Sequence, residues 1–464
     1  MAVAGLATIS TVLLTVEENP MSVPAAAATT ADSPLARRTV RKVGVRIMPI
    51  VLLLYIFNYM DRANIGYAQL GMAKELTITA ATFGVASAIF FLAYVVFEVP
   101  SNMIMKKVGA RLWLSRIAVS WGVVTVLTGF VASVTHLMIA RILLGIAEAG
   151  LFPGLLLYLT FWFRGKERGR AIATLALAQP IALILGSLFG GWILDHVHWF
   201  GMSSWQWVFI LQGAPAVLIG LLTFFYLPNK PADAKFLTAE ESSWLQAEID
   251  REYVPEEKET FLGQLRAVRD GKVLLLAISN LFIACGLYGL TFFLPLIVKQ
   301  LDPKYSSTNI GLLGAIPYVV GAIGMLLLAR NSDRTGERKG HVIATVLVAA
   351  IGFFGAIQFK TVPALSLISL SLAAIGVLGY LAPYWAMAAR VLSKEHTAVG
   401  LAAINSIAAL GGFFGPYAIG LAATESDVTI GLYFPIGCLV VAAAMLAFLK
   451  VPRDAGARLA RPVK

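Results

Sequence analysis

Asp61 and Arg62 are adjacent, and they are the only charged residues in the 27 positions from Ile47 to Ala73, a run that includes YIFNYMDRANIGYAQL. A carboxylate or guanidinium left in hydrocarbon costs at least ~2.5–3.5 kcal/mol, so such residues persist where they face an interior cavity and have partners. From Ile117 to Phe163 the only Asp, Glu, Lys or Arg residues are Arg141 and Glu148. Their spacing of seven is two helical turns, which puts both on one face. Four ionisable groups of both signs on two apolar helices can bind an anion and handle protons. In a low-dielectric site a carboxylate holds its proton more tightly and a nearby arginine loosens it. Moving the arginine from carboxylate to anion therefore switches proton affinity. The competing reading is a structural salt-bridge cluster pinning the two helices together, although apolar packing does that at little cost.

The elements carrying these residues are membrane spans. The chain has 464 residues, 58% of them hydrophobic, and a mean hydropathy of +0.78. Its apolar runs are too long and too little charged for soluble domains. About twenty helical residues cross ~30 Å of hydrocarbon, and twelve such runs are predicted: 44–66, 80–104, 112–132, 136–161, 170–194, 206–227, 271–298, 308–330, 341–360, 363–388, 397–420 and 427–450. The fold class is an all-α membrane protein of twelve transmembrane helices in two six-helix pseudo-symmetric bundles, 44–227 and 271–450. A loop at 228–270 joins them, and tails at 1–43 and 451–464 flank them.

The net charge of +11 is sorted by side of the membrane. With the N-terminus inside, Lys74, Lys299, Lys304 and Lys360 are the only basic residues in outer loops; apart from Arg62 and Arg141, the others lie on the inner side. That is the positive-inside pattern, with both termini and the 228–270 loop cytoplasmic in a multi-pass cell-membrane protein. Nucleic acid is not expected as a partner, because no basic patch is interleaved with aromatics in a soluble segment. Cys285 and Cys438 lie in spans, and five histidines are scattered singly at span ends, so no disulfide, metal site or cofactor is expected. The first residues lack the basic start of a signal peptide, and Met21 is an alternative start before the cluster Arg37, Arg38, Arg41 and Lys42. Thr238 and Glu241 read as a capping box for a surface helix bearing Trp244, Leu245 and Ile249.

The halves repeat. Offset by 227 positions, Lys107 meets Arg334, Gly109 meets Gly336 and Arg111 meets Arg338, in the loops after spans 2 and 8. Two such halves with a site between them are a transporter plan. The loop ARNSDRTGERKG, the span-4 run RILLGIAEAGLFPG, NYMDRANIG in span 1, FEVPSNMIMKKVGAR after span 2 and INSIAALGGFFGP in span 11 resemble the major facilitator superfamily, and within it the anion:cation symporters. The resemblance runs from about residue 40 to 450.

That resemblance implies import of a small organic carboxylate with protons, of the tartrate, phthalate, hydroxyphenylacetate or hexonate type. It makes Asp61 and Glu148 the protonatable groups, has Arg62 receive a substrate carboxylate and has Arg141 partner Glu148. It places Tyr59, Tyr94, Gln179, Tyr384, Trp385 and Asn405 at the substrate. Ala382 and Tyr384 stand where sugar-acid importers carry small hydroxyl residues, which favours a flatter or more apolar acid. It assigns gating to Lys107, Gly109, Asp333 and Arg334; Lys106 occupies the acidic position of the first loop copy, so gating rests more on Asp333. Span 5 lacks the Gly-Pro of drug antiporters, which favours import over export or exchange; a non-transporting sensor is a further alternative. Glu98, two turns from Lys106 and Lys107, is expected in a gating or structural ion pair. A monomer is expected, and no nucleophile–base set or metal cluster suggests an enzyme.

Overall fold

The computed structural model describes residues 33–252, 269–392, 397–424 and 426–451. The Met21 start, most of both expected tails and residues 253–268 of the central loop lie outside the described residues. Among the described residues, twelve helices long and apolar enough to cross a membrane follow one another: Pro34–Glu75, Ala80–Val108, Ala110–Thr128, Val134–Thr160, Gly165–His196, Ser204–Tyr226, Gly271–Leu301, Ser307–Thr335, Lys339–Gln358, Pro363–Val391, Val399–Ala422 and Val428–Phe448, here spans 1 to 12. They make the chain a multi-pass membrane protein.

Span 1 starts at Pro34, well before residue 44. The Ser33 hydroxyl accepts from the Ala36 N–H at 3.1 Å and a proline opens the first turn. Hydropathy senses where hydrocarbon begins, whereas caps decide where the helix begins. Arg37, Arg38, Arg41 and Lys42 therefore ride on a helical extension beyond the apolar segment. The central-loop helix Ala239–Glu252 docks against that extension. Its capping box is formed, with Thr238 N–H on Glu241 at 2.9 Å and Glu241 N–H on Thr238 Oγ1 at 3.2 Å. Glu241 then accepts Arg38 at 2.7 Å and Lys42 at 2.9 Å, Leu245 is buried and Trp244 lies under Arg164.

Span 3 packs along span 6 and span 9 along spans 10 and 12, while spans 1, 2 and 5 cross to spans 7, 11 and 8. Away from the basic loops the crossings are backbone-tight. A Cβ on Gly420 would lie 2.6 Å from the Ala80 carbonyl, and one on Gly191 would lie 2.8 Å from Gly311 Cα. Beside the latter, Asp195 at the end of span 5 accepts the N–H groups of Ser307 at 3.1 Å and Thr308 at 2.6 Å, capping span 8. The face opposite the basic loops is thus held shut by spans 2, 5, 8 and 11.

Spans 4, 10 and 11 are each interrupted. In span 4 the helix Val134–Glu148 stops, Ala149 turns extended, Gly150 takes φ +87°, and helix resumes over Leu151–Thr160. Non-helical backbone at this depth is tolerated where protein surrounds it. The break leaves Glu148 as the last helical residue before an irregular turn.

Candidate functional site

Successive helical residues leave the axis about 100° apart, so Asp61 and Arg62 face different neighbours. Asp61 looks towards span 3, accepting the Thr125 hydroxyl at 2.7 Å and the Asn64 amide at 2.8 Å. Arg62 looks towards spans 4 and 7. Its Nε and one terminal nitrogen both donate to Oε1 of Glu148, and the other points at the Tyr288 hydroxyl, 3.4 Å away. The partner of Glu148 in this structure is therefore Arg62, not the Arg141 expected from the resemblance. The change has a geometric reason: Arg141 lies two turns away on the same helix as Glu148, while Arg62 reaches it from span 1 with the Nε side of its guanidinium.

Aromatic rings wall off this pair. The Arg62 guanidinium carbon lies 4.8 Å from the ring centre of Tyr94 and 5.4 Å from those of Tyr59 and Phe90. Arg141 lies 4.9 Å from the centre of Phe90, so one ring serves both cations. Cation–π contacts of this kind are worth ~0.5–2 kcal/mol each. Arg141 donates from Nε to the Ala86 carbonyl at 3.2 Å. Its two terminal nitrogens, and Oε2 of Glu148, are buried without a hydrogen-bond partner. An unmet buried polar atom costs about 1–3 kcal/mol, more when charged. The cluster is under-coordinated by its own side chains, with two nitrogens lacking an acceptor and one carboxylate oxygen lacking a donor.

The other residues singled out in the sequence are distributed unevenly. Tyr59 and Tyr94 line Arg62, and Gln179 is buried on span 5 with its amide nitrogen unpartnered. Tyr384 is buried with its hydroxyl donating to the Leu276 carbonyl at 2.6 Å, and Trp385 meets that ring edge-on at 5.7 Å. Asn405 donates to Glu98 at 3.3 Å, beside Ser406 at 2.9 Å. Glu98 thus takes neutral donors from span 11 in place of the expected Lys106 or Lys107, since a residue two turns along its own helix lies about 12 Å away by rise alone.

Of the gating set, Gly109 and Gly336 hold φ of +92° and +66° in corresponding loops, a conformation that favours glycine. Asp333 is exposed and accepts Arg338 of its own loop at 2.5 Å; Lys107 and Arg334 are exposed at the same face. Sequence reasoning missed Tyr288, Phe90, Thr125 and Tyr380, whose hydroxyl bonds Asn280 at 3.0 Å. Only the mid-span asparagine carried a signal, because a buried amide needs partners.

The family model of the Major Facilitator Superfamily matches residues 51–306 and again 276–463. The chain belongs to the major facilitator superfamily. A protein of Agrobacterium vitis provisionally named a tartrate transporter is 39% identical over 92% of this chain and 98% of its own length. A quinolone resistance transporter of Acinetobacter baumannii is 35% identical over 85% and 91%, and the inner membrane transport protein RhmT of Escherichia coli K12 is 33% identical over 81% and 87%. The inward-open structure of the xylose transporter XylE from E. coli superposes with a TM-score of 0.70 at 16% identity, covering 88% of this chain and 97% of that one. This superfamily member is a transporter of small molecules.

Proposed function

We propose that this transporter imports a small organic carboxylate together with protons, by alternating access between two six-span halves, 44–227 and 271–450, with both termini cytoplasmic. The observation that carries the reading is the incomplete coordination of the central cluster. Arg62 is spent on Glu148 while Arg141 keeps two unpartnered nitrogens. An incoming carboxylate can take the Arg62 fork only if Glu148 gives it up, and a displaced Glu148 is stabilised by binding a proton or by Arg141. Arg62, Arg141 and Asp61 with a substrate carboxylate and a protonated Glu148 have the same net charge as the empty cluster with Glu148 ionised. Anion and proton therefore enter a dry site together without leaving net charge there.

In this reading Asp61 and Glu148 are the proton-coupling carboxyls, with Arg141 as the reserve partner. Tyr59, Tyr94, Gln179, Trp385 and Asn405 surround the substrate, and Tyr384 shapes the wall with its ring. With the Tyr384 hydroxyl committed to a backbone carbonyl and rings of Tyr94, Phe90 and Tyr288 around Arg62, the pocket suits a flat or partly apolar acid better than a polyhydroxylated one. The basic-face loops with Lys107, Gly109, Asp333 and Arg334 gate the inner side. A second reading, export, is favoured by the likeness to a quinolone resistance transporter.

Uptake of labelled carboxylic acids by transport-deficient cells producing this chain tests the proposal. Accumulation should collapse with a protonophore. Sodium-dependent accumulation that ignores the proton gradient would overturn the coupling, and efflux without uptake would favour the second reading.

A further inference from the structure

Glu98 is a fully buried carboxyl group that the central cluster does not use. It is 3% exposed and lies on span 2 one turn beyond Tyr94, between the Arg62 site and the exposed Lys106 and Lys107. Its Oε1 takes the Asn405 amide at 3.3 Å and its Oε2 the Ser406 hydroxyl at 2.9 Å, both from span 11 in the opposite half. Both donors are neutral. The charged and titratable groups on the elements packed around span 2 are His136, Arg141, Glu148 and Tyr158 on span 4, Arg111 and Arg116 on span 3, Tyr417 on span 11, Tyr288 on span 7, Arg62 beyond the Tyr94 ring, and Tyr94, Lys106 and Lys107 on span 2 itself.

The donors sit on a separate piece of helix. A tight turn at Leu410, whose N–H bonds the Ile407 carbonyl three residues back at 3.1 Å, divides Thr397–Ala409 from Gly411–Ala422. The second piece is the one clamped to span 2, through Gly412 against the Phe91 ring and Gly420 against Ala80 and Gly84. The bonds to Glu98 thus tie down the piece of span 11 that lies beyond those close contacts.

We propose that Glu98, Asn405 and Ser406 form a proton-sensitive latch between the halves, closing the site on the basic-face side. An ionised carboxylate accepts both donors with charge assistance, which roughly doubles the strength of such bonds. A proton bound from water on the side to which the site is open removes that assistance. The Ser406 hydroxyl can turn to accept the new O–H, but the –NH2 of Asn405 accepts nothing, so the carboxyl is left with neutral bonds only. Protonation opens the latch, and loss of the proton closes it. The inference rests on alternating access, not on the identity of the substrate.

Spin labels test it on the full-length protein. With buried Cys285 and Cys438 replaced by alanine, cysteines are placed at exposed Lys230 and Lys450, which follow spans 6 and 12 on the basic face. Distances are then read by double electron–electron resonance in nanodiscs without substrate. Lowering the pH from about 8 to about 5, across the range into which burial moves carboxyl groups, should shift the wild-type distribution to longer distances. Glu98→Gln should be long at both pH values, because it is neutral throughout. Ser406→Ala, which keeps the carboxyl, should shift in the same direction by less, and it carries the test alone if Glu98→Gln fails to fold. A wild-type distribution that ignores pH, or a Ser406→Ala variant indistinguishable from wild type, overturns the latch. Loss of carboxylate uptake with this response intact would count against the transport reading instead.

Discussion

Span 1 carries two ion-pair clusters, one on the helical extension before its apolar stretch and one in the middle of that stretch, and they differ in what surrounds them. At the basic face, Glu241 is buried but its partners Arg38 and Lys42 are 57% and 39% exposed. In the span's interior both Arg62 and Glu148 are buried, ringed by Tyr59, Phe90 and Tyr94. Water can replace either partner in the first cluster at little cost. In the second nothing replaces a lost partner except a ligand, a proton or Arg141. The same chemistry therefore docks a helix in one place and, in the proposed reading, makes an exchangeable binding site in the other.

The largest effect that would sharpen this contrast is at Arg62. Arg62→Lys keeps the charge but loses the two-pronged fork, and substrate affinity should fall ~30-fold, on the order of 2 kcal/mol, measured by equilibrium binding to the purified protein. Wild-type binding by this variant would move substrate capture elsewhere, with Arg141 the next candidate.

Glu148→Gln copies the protonated carboxyl in shape. Counterflow in proteoliposomes should persist while gradient-driven uptake falls at least ~10-fold, the amide being unable to release a proton. Unimpaired uphill uptake would remove Glu148 from the proton path, and loss of both activities would make the interior cluster structural like its counterpart at the basic face.

Glu241→Gln should leave transport within about twofold and loosen helix 239–252 by about 1 kcal/mol, seen as roughly fivefold faster amide exchange in that segment. Burial raises the proton affinity of Glu241, but Lys42, the Thr238 N–H and Arg38 together outweigh it and hold its pKa down to about 2, below the ordinary 4.5. A depressed carboxyl stabilises the fold in its ionised form. Docking should be complete above pH about 4.5 and fade as the pH falls towards about 2. Lys42→Ala, removing one half-exposed partner, should cost least, ~0.2–1 kcal/mol by the same measurement.

Both clusters are partly legible in the sequence. The Thr238–Glu241 box is readable because a cap spans three residues, yet its grip on Arg38 and Lys42 is not, since those lie about two hundred positions away in the chain. Asp61, Arg62, Arg141 and Glu148 stand out because charge in an apolar run is costly wherever the run ends up. Glu98 is legible as a buried carboxyl, but spacing assigns it partners along its own helix, the only direction in which spacing is informative.

What the sequence by itself determined is therefore whatever depends on local hydropathy and on the cost of burying charge: twelve spans, the repeated loops with glycines at Gly109 and Gly336, and the four central ionisable groups. Which cation meets which carboxylate, with Arg62 on Glu148 and Arg141 left partly unpartnered, was decided by tertiary structure alone. So were the Tyr288 contact from the opposite half and the pairing of Glu98 with Asn405 and Ser406. Those contacts depend on how helices are rotated and how far apart they pack, and both are set by close approaches such as Gly420 against Ala80 and Gly191 against Gly311, summed over a whole interface that no single stretch of sequence contains.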